Sequence, residues 1–342
     1  MIYHLKLENF TAFKSLNVQF SKGINIFIGA NGTGKTHILK VIYASCDITK
    51  TRDNFAEKIN RVFMPSNNHL GRLVKRKNVS KKGSVVVVSR KEENFYSRIR
   101  LTFSNQTKDP KSARITRKND WRLIPIESIF IPVKETLSNA PGFRSLYISR
   151  EVSFEEVYID IIDRSLLPVK RGPIDKKRKD ILSHLQKIME GKVSIKNEEF
   201  FLRNKQGNLE FMLLSEGMRK LALLWILIQN GVLMKGSVLC WDEPEANLNP
   251  KMMKNIVEIL LYLQRIGVQI FLATHNYVFL KEFDLQMKKY DQVMFHSLFF
   301  DKETNEIQLH STDKYMEIHP NTIADAFDDL YDREIKRTME GS

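Results

Sequence analysis

The chain has 342 residues with 42% hydrophobic content, enough for a sizeable core and too much for global disorder. Lys and Arg number 54 against 40 Asp and Glu, a net charge of +14, and a partner rich in phosphate suits that excess better than a small acidic metabolite does. The two cysteines, Cys46 and Cys240, exclude a disulfide framework and a four-thiolate zinc site. The opening MIYHLKLENF lacks the apolar core of a signal peptide, and the longest apolar run, Leu221–Ile228, falls far short of the ~20 residues of a membrane helix. A cytoplasmic location is therefore expected.

In chain order, Leu5 and Leu7 alternate with Lys6 and Glu8, and Leu16, Val18 and Phe20 with Asn17 and Gln19. This is the period of antiparallel strands. Ser21-Lys22-Gly23 is a turn, and Ile24–Ile28 is a short apolar run suited to a buried strand. A helical pattern runs from Thr36 to about Ser45. Residues 61–120 then hold sixteen Lys/Arg and four Asp/Glu, so this block carries most of the positive charge. Within it Ser84–Ser89 and Phe95–Phe103 read as strands. The second sets Ile99, Leu101 and Phe103 against Arg98, Arg100 and Thr102, one face apolar and the other basic. Lys108-Asp109-Pro110 reads as a loop. Ile174–Met189 has helical spacing with Gly191 as its expected C-cap. Leu221–Ile228 is a strongly apolar helix, Val238–Trp241 and Val268–Ala273 are central strands, and Met252–Gln264 and Ile323–Ile335 are helices. There is no internal repeat.

Four motifs carry chemistry. Gly29-Ala30-Asn31-Gly32-Thr33-Gly34-Lys35-Thr36 fits G-x-x-x-x-G-K-[ST], after a strand and before a helix. Glycines let successive N–H groups face a phosphate, and the helix N-terminus adds partial positive charge. Lys35 would neutralise the β- and γ-phosphates, and Thr36 would offer its hydroxyl to Mg²⁺. Val238–Trp241 delivers Asp242 and Glu243 at a strand end, Asp242 for the Mg²⁺ shell and Glu243 to activate water. Ser215 and Gly217, in Leu214-Ser215-Glu216-Gly217, sit at a helix start. Alone they read as an ordinary cap. His275 ends the strand Phe271–Thr274, and alone it reads as structural.

Order and spacing change that weighting. Ser215 to Asp242 is 27 residues and Asp242 to His275 is 33. The arrangement resembles the ABC-type ATPases, and more closely the heads of their SMC/RecF/OLD branch. Leu5–Phe10 with Phe13 resembles that branch's first strand, and Ala246–Pro250 resembles its D-loop. The middle resembles compact bacterial AAA-type relatives found in phage-defence systems, and Glu135 falls where their Q-loop contact to Mg²⁺ and water belongs.

The resemblance implies an α/β P-loop fold: one head over 1–342 with a mostly parallel sheet, an antiparallel β subdomain, a basic insertion at 61–120 and a helical signature lobe at 135–230. It implies ATP and Mg²⁺, with Gly29, Asn31, Gly32, Gly34, Lys35, Thr36, Asp242, Glu243 and His275 acting in cis. Ser215 and Gly217 act in trans across an ATP-dependent homodimer or higher oligomer, with Asn247 at the seam. Lys35 to Ser215 spans 180 residues, longer than in transporter subunits, and no coiled coil or fused nuclease is expected. A separate effector protein, a nuclease or toxin, is the expected partner. Lys75, Arg76, Lys77, Lys81, Lys82, Arg98 and Arg100 are the expected contacts to DNA or RNA. The alternative is an ATP-dependent scaffold that holds its effector without touching nucleic acid.

Overall fold

The computed structural model describes residues 1–51, 53–76, 82–92, 95–149, 153–170, 172 and 175–339. Two strands, β1 (Ile2–Phe10) and β2 (Phe13–Gln19), form a hairpin, and β3 (Ile24–Ile28) enters the centre of the molecule. Helix α1 (Lys35–Thr51) follows the glycine loop, and α2 (Phe55–Phe63) starts at Asn54, whose side chain accepts from the Ala56 and Glu57 N–H groups. Strands β4 (Gly83–Glu92), β5 (Phe95–Ser104) and β6 (Arg114–Thr116), helix α3 (Lys118–Trp121) and strand β7 (Ser128–Ile131) come next. The signature lobe contains α4 (Ala140–Ile148), α5 (Glu156–Ser165), α6 (Lys176–Met189), the meander β8 (Lys192–Lys196), β9 (Glu199–Asn204) and β10 (Gly207–Glu210), and α7 (Glu216–Gln229). The chain closes with β11 (Val238–Asp242), α8 (Pro250–Arg265), β12 (Gln269–Thr274), α9 (Tyr277–Gln286), β13 (Val293–Phe300), β14 (Ile307–Thr312) and α10 (Thr322–Met339). No helix among the described residues is long and apolar enough to cross a membrane.

The central sheet has the order β14-β13-β3-β12-β11-β7, parallel except for β14. Its strands β3, β11 and β12 are buried along their whole length, which explains why they read as unbroken apolar runs. Ile24, Ile26, Ile28, Leu239, Trp241, Ile270 and Leu272 face a core shared with α6, α7, α8 and α9. Phe27, Cys240, Phe271 and Ala273 face the opposite core, built around α1. Helix α1 is thus sandwiched between the central sheet and the antiparallel sheet β2-β1-β4-β5-β6, with Ile38, Val41, Ile42 and Ile48 fully buried.

The basic stretch 61–120 is not appended to the head. β4 pairs with β1 from Ile2↔Arg90 to Glu8↔Val85, and β5 pairs with β4 along its length. Its apolar face, Val86, Val88, Ile99 and Leu101, completes the core over α1. The expected Gly191 cap of α6 is also revised. Glu190 takes the left-handed conformation, φ 52°, and Gly191 donates its N–H to the Gln186 carbonyl. Gly191 is required for a different reason: a Cβ there would lie 2.7 Å from the Arg203 carbonyl oxygen.

One side chain joins the two sheets. Gln269, fully buried at the start of β12, accepts from the Ile2 N–H at 2.8 Å and donates to the carbonyls of Ile2 (2.6 Å) and Ser21 (2.8 Å). Replacing it with an isosteric apolar group strands three buried backbone groups, each worth about 1–3 kcal/mol when left unpaired. Gln269→Leu is expected to cost about 2–4 kcal/mol. Urea unfolding should show a lower midpoint at unchanged slope.

Candidate nucleotide site

The strand order places the motifs together. β12 lies between β3 and β11, with Thr274 opposite Ile28 and Asp242 opposite Ala273. The loops that leave these strands therefore emerge side by side at the C-terminal edge of the sheet, where ligands of open α/β sheets bind.

Glycine is required by geometry at two points of the first loop. Gly29 has φ 147°, and a Cβ on it would lie 2.2 Å from the Leu298 carbonyl oxygen. Gly34 has φ 85°, and a Cβ there would lie 2.6 Å from the Phe13 ring, so the β1–β2 turn closes directly against the loop. Asn31 and Gly32 are exposed at the loop's open tip, and Thr33 braces it with a 2.9 Å bond to the Ala30 carbonyl. Lys35 is buried and donates to the carbonyls of Gly29 (2.7 Å) and Ala30 (3.1 Å). Burial lowers its pKa, against the opposing pull of Glu243 and Asp242.

Thr36 donates its hydroxyl to Asp242 Oδ2 at 2.8 Å. A hydroxyl and a carboxylate converging at the end of a buried strand are the hard oxygen donors that Mg²⁺ takes, so these two residues fit the ion that the motifs imply. Burial is the main reason that the Asp242 pKa is raised to about 6; nearby Glu243 adds to it, and Thr36, Lys40 and Lys35 oppose it. Glu243 has φ 46°, left-handed for a residue that carries a side chain, a conformation that costs of order 1–3 kcal/mol. It aims Glu243 Oε1 at His275 Nδ1, 3.0 Å away. Both side chains remain partly open to solvent.

Two residues escaped the motif reading. Glu245 is buried and accepts from the Thr274 hydroxyl at 2.6 Å and the His275 N–H at 3.3 Å, so it sets the strand end that carries His275. Burial raises its pKa. Lys220, buried on α7, donates to the Ala246 carbonyl at 2.6 Å and the Pro244 carbonyl at 3.4 Å, and Glu216 accepts from Asn247 at 2.9 Å. The signature helix is thereby fastened to the D-loop of its own chain. The only sequence signals were a third acid after Trp241 and one Lys entering an apolar run.

Ser215 is the N-cap residue of α7, yet its hydroxyl makes no capping bond and it is exposed. Gly217 is buried against α8, where a Cβ would lie 2.8 Å from Met252 Sδ. Glu135 departs from expectation. Its carboxylate is buried, faces Arg219 Nε at 3.2 Å and accepts from the Leu137 and Ser138 N–H groups. Those partners tie it to the signature helix and its own turn, not to the Thr36–Asp242 pair.

The basic residues divide. Arg98 and Arg100 project from the outer face of β5, with Arg114 of β6 beside them in register. Arg76 is exposed, and Lys82 is half-buried. Lys75 is already engaged, with Glu306 and the Ala12 carbonyl each at 2.7 Å. Lys77 and Lys81 lie outside the described residues.

A carboxyl titrating near 6 must lose its proton before it can bind a cation. Apparent Mg²⁺ affinity should therefore fall about tenfold per pH unit below 6 and level off above it. Because folding raises this pKa, the ionised group opposes folding at neutral pH, and the penalty fades as pH falls through 6. Asp242→Asn is expected to raise the thermal midpoint at pH 8 while weakening Mg²⁺-nucleotide binding, checked by calorimetry and by titration with a fluorescent ATP analogue.

Residues 24–281 match the family model described as "AAA domain, putative AbiEii toxin, Type IV TA system". Among curated proteins, the chain is 50% identical over 50 residues to the DNA replication and repair protein RecF of Clostridium kluyveri, covering 15% of this chain and 14% of the relative. It is 23% identical over 182 residues to RecF of Streptococcus pneumoniae, covering 48% of this chain and 50% of that one. The matches thus span half the length of these relatives or less. Among solved structures, an SMC head bound to the C-terminal winged-helix domain of ScpA aligns with TM-score 0.59 at 15% identity, over 93% of this chain and 99% of that one. A Pyrococcus furiosus SMC head aligns with TM-score 0.55 at 13% identity, over 97% and 99%. The glycine loop, the acidic strand end and the histidine strand end occupy that shared fold, and the chain belongs to this AAA-domain family, an ABC-type ATPase of the SMC and RecF branch.

Proposed function

We propose that the protein hydrolyses ATP with Mg²⁺ and pairs head to head around the nucleotide, coupling the bound state to nucleic-acid sensing or to control of a separate effector such as a nuclease or toxin, in the manner of a phage-defence ATPase. The observation that carries this reading is the division of groups. Thr36, Asp242, Glu243 and His275 converge at one sheet edge, whereas the Ser215 hydroxyl is exposed at a helix start with its bonding capacity unspent. Mg²⁺ would neutralise phosphate charge. Lys35 would exchange its loop carbonyls for the β- and γ-phosphates. Glu243 would take a proton from the attacking water, His275 would hold the γ-phosphate, and Ser215 of a second head would complete the site.

Glu243→Gln is expected to bind ATP and lose about 10²–10⁴-fold in hydrolysis, accumulating a dimer in size-exclusion chromatography. Lys35→Ala should lose nucleotide affinity. Ser215→Arg should bind ATP as a monomer. Wild-type turnover in Glu243→Gln, or ATP-driven pairing of Ser215→Arg, rejects these roles.

The exposed arginines of β5 and β6 support nucleic acid over protein as the sensed ligand, because a sheet face presenting Arg98, Arg100 and Arg114 suits a phosphate backbone. Reversal of Arg76, Arg98, Arg100 and Arg114 to Glu should weaken DNA or RNA binding for every sequence tested. It should also flatten a salt dependence whose slope is near 0.9 per neutralised phosphate on duplex DNA. Basal ATPase should persist. Lys75 is left intact in this variant because of its contacts to Glu306 and Ala12. Unchanged binding and unchanged stimulation of ATPase would favour the scaffold reading.

A further inference from the structure

Helix α10 is attached to the body only at its start. Ile323 is buried, and the Phe327 ring stacks on Tyr277 with centroids 4.5 Å apart. Every residue from Asp325 to Met339 is exposed, including Leu330 (53%), Tyr331 (64%) and Met339 (82%). An isolated helix of this length is marginal in water, so an arm of this kind gains its stability from packing. Phe327, Leu330, Tyr331, Ile335 and Met339 recur at three- and four-residue steps and form an apolar stripe along it.

The charges specify what can cover that stripe. Asp325, Asp328, Asp329 and Asp332 occupy the first part of the helix, whereas Arg333, Lys336 and Arg337 outnumber Glu334 in the last part. A parallel copy would set like against like. An antiparallel copy centred on Tyr331 sets Phe327 against Ile335, Asp325 against Arg337 and Asp329 against Arg333. We propose that α10 pairs antiparallel with α10 of a second copy of this chain, forming a dimer contact that requires no nucleotide. The contact uses about three turns of each chain, well under a standard interface, so micromolar affinity is expected.

Sedimentation velocity of the full chain without nucleotide, from about 1 to 100 µM, tests this, spanning the micromolar range in which so small an interface should dissociate. Dimer is expected in wild type and equally in Lys35→Ala, which separates this contact from ATP-driven pairing. Leu330→Asp with Ile335→Asp, both at exposed positions, should raise the dissociation constant at least tenfold at unchanged circular dichroism. Tyr331→Cys should cross-link to itself on mild oxidation and Asp325→Cys should not; the native Cys46 and Cys240 are buried and do not interfere. A monomeric wild type, a dimer indifferent to the double Asp variant, or self-cross-linking at Asp325→Cys in place of Tyr331→Cys overturns the proposal.

Discussion

Three buried parallel strands ending at one edge are the constraint on which the site depends. β3, β12 and β11 are apolar on both faces, so no polar side chain along their length can reach solvent without breaking a core. Polar chemistry is confined to where the strands stop. The pairings of Thr274 with Ile28 and Asp242 with Ala273 bring those stops level, and the loop, the acids and the histidine become neighbours although 246 residues separate Gly29 from His275. A one-residue slip in either ladder would turn Asp242 or Thr274 to the opposite face.

That edge concentrates charge in a poorly solvated place, and the neighbouring residues manage it. Lys35 and Lys40 offset the burial of Asp242, and Thr36 adds a hydrogen bond. Glu245 is held by Thr274 and the His275 N–H. Lys220 loses water yet gains two D-loop carbonyls. A second ionic cluster lies behind α1, where Lys58 sits within 2.7–3.3 Å of Asp47, Asp160 and Glu156. Removing one member of such a set is costlier than the set is stabilising, because an uncompensated charge remains. The loop-bearing helix is thus keyed to α2 and α5 by polar as well as apolar contacts.

The nucleotide motifs were legible because each is a short run whose chemistry demands particular residues at fixed spacing. Gly34 is a clear instance: the close approach of Phe13 leaves room for no side chain. The strands Phe95–Phe103 and Ser84–Ser89 were legible from their alternation, but their attachment to β1 was not, because pairing partners some eighty residues apart leave no local mark. Charge counting overstated the free basic surface. Arg90 is buried and donates to the Trp121 and Ile124 carbonyls, and Lys75 is paired. Glu135 had the right sequence position for a metal contact, but its direction was set by Arg219, 84 residues away. Glu190 replaced Gly191 as the left-handed residue because Gly191 was needed against β9.

The Gln269 clamp has a mechanical meaning. It fixes the outer end of β12 to the first residues of β1, and β1 carries the antiparallel sheet from which the exposed arginines project. The inner end of β12 carries His275. A strand rises about 3.3 Å per residue, so the two ends are about 20 Å apart, joined by a ladder-bonded rod that bends and stretches little. Clamp, rod and histidine stand in series. A load applied to the outer sheet reaches the nucleotide edge as displacement instead of being dissipated in a flexible joint, and stiffness becomes a property that the glutamine contributes to the catalytic end.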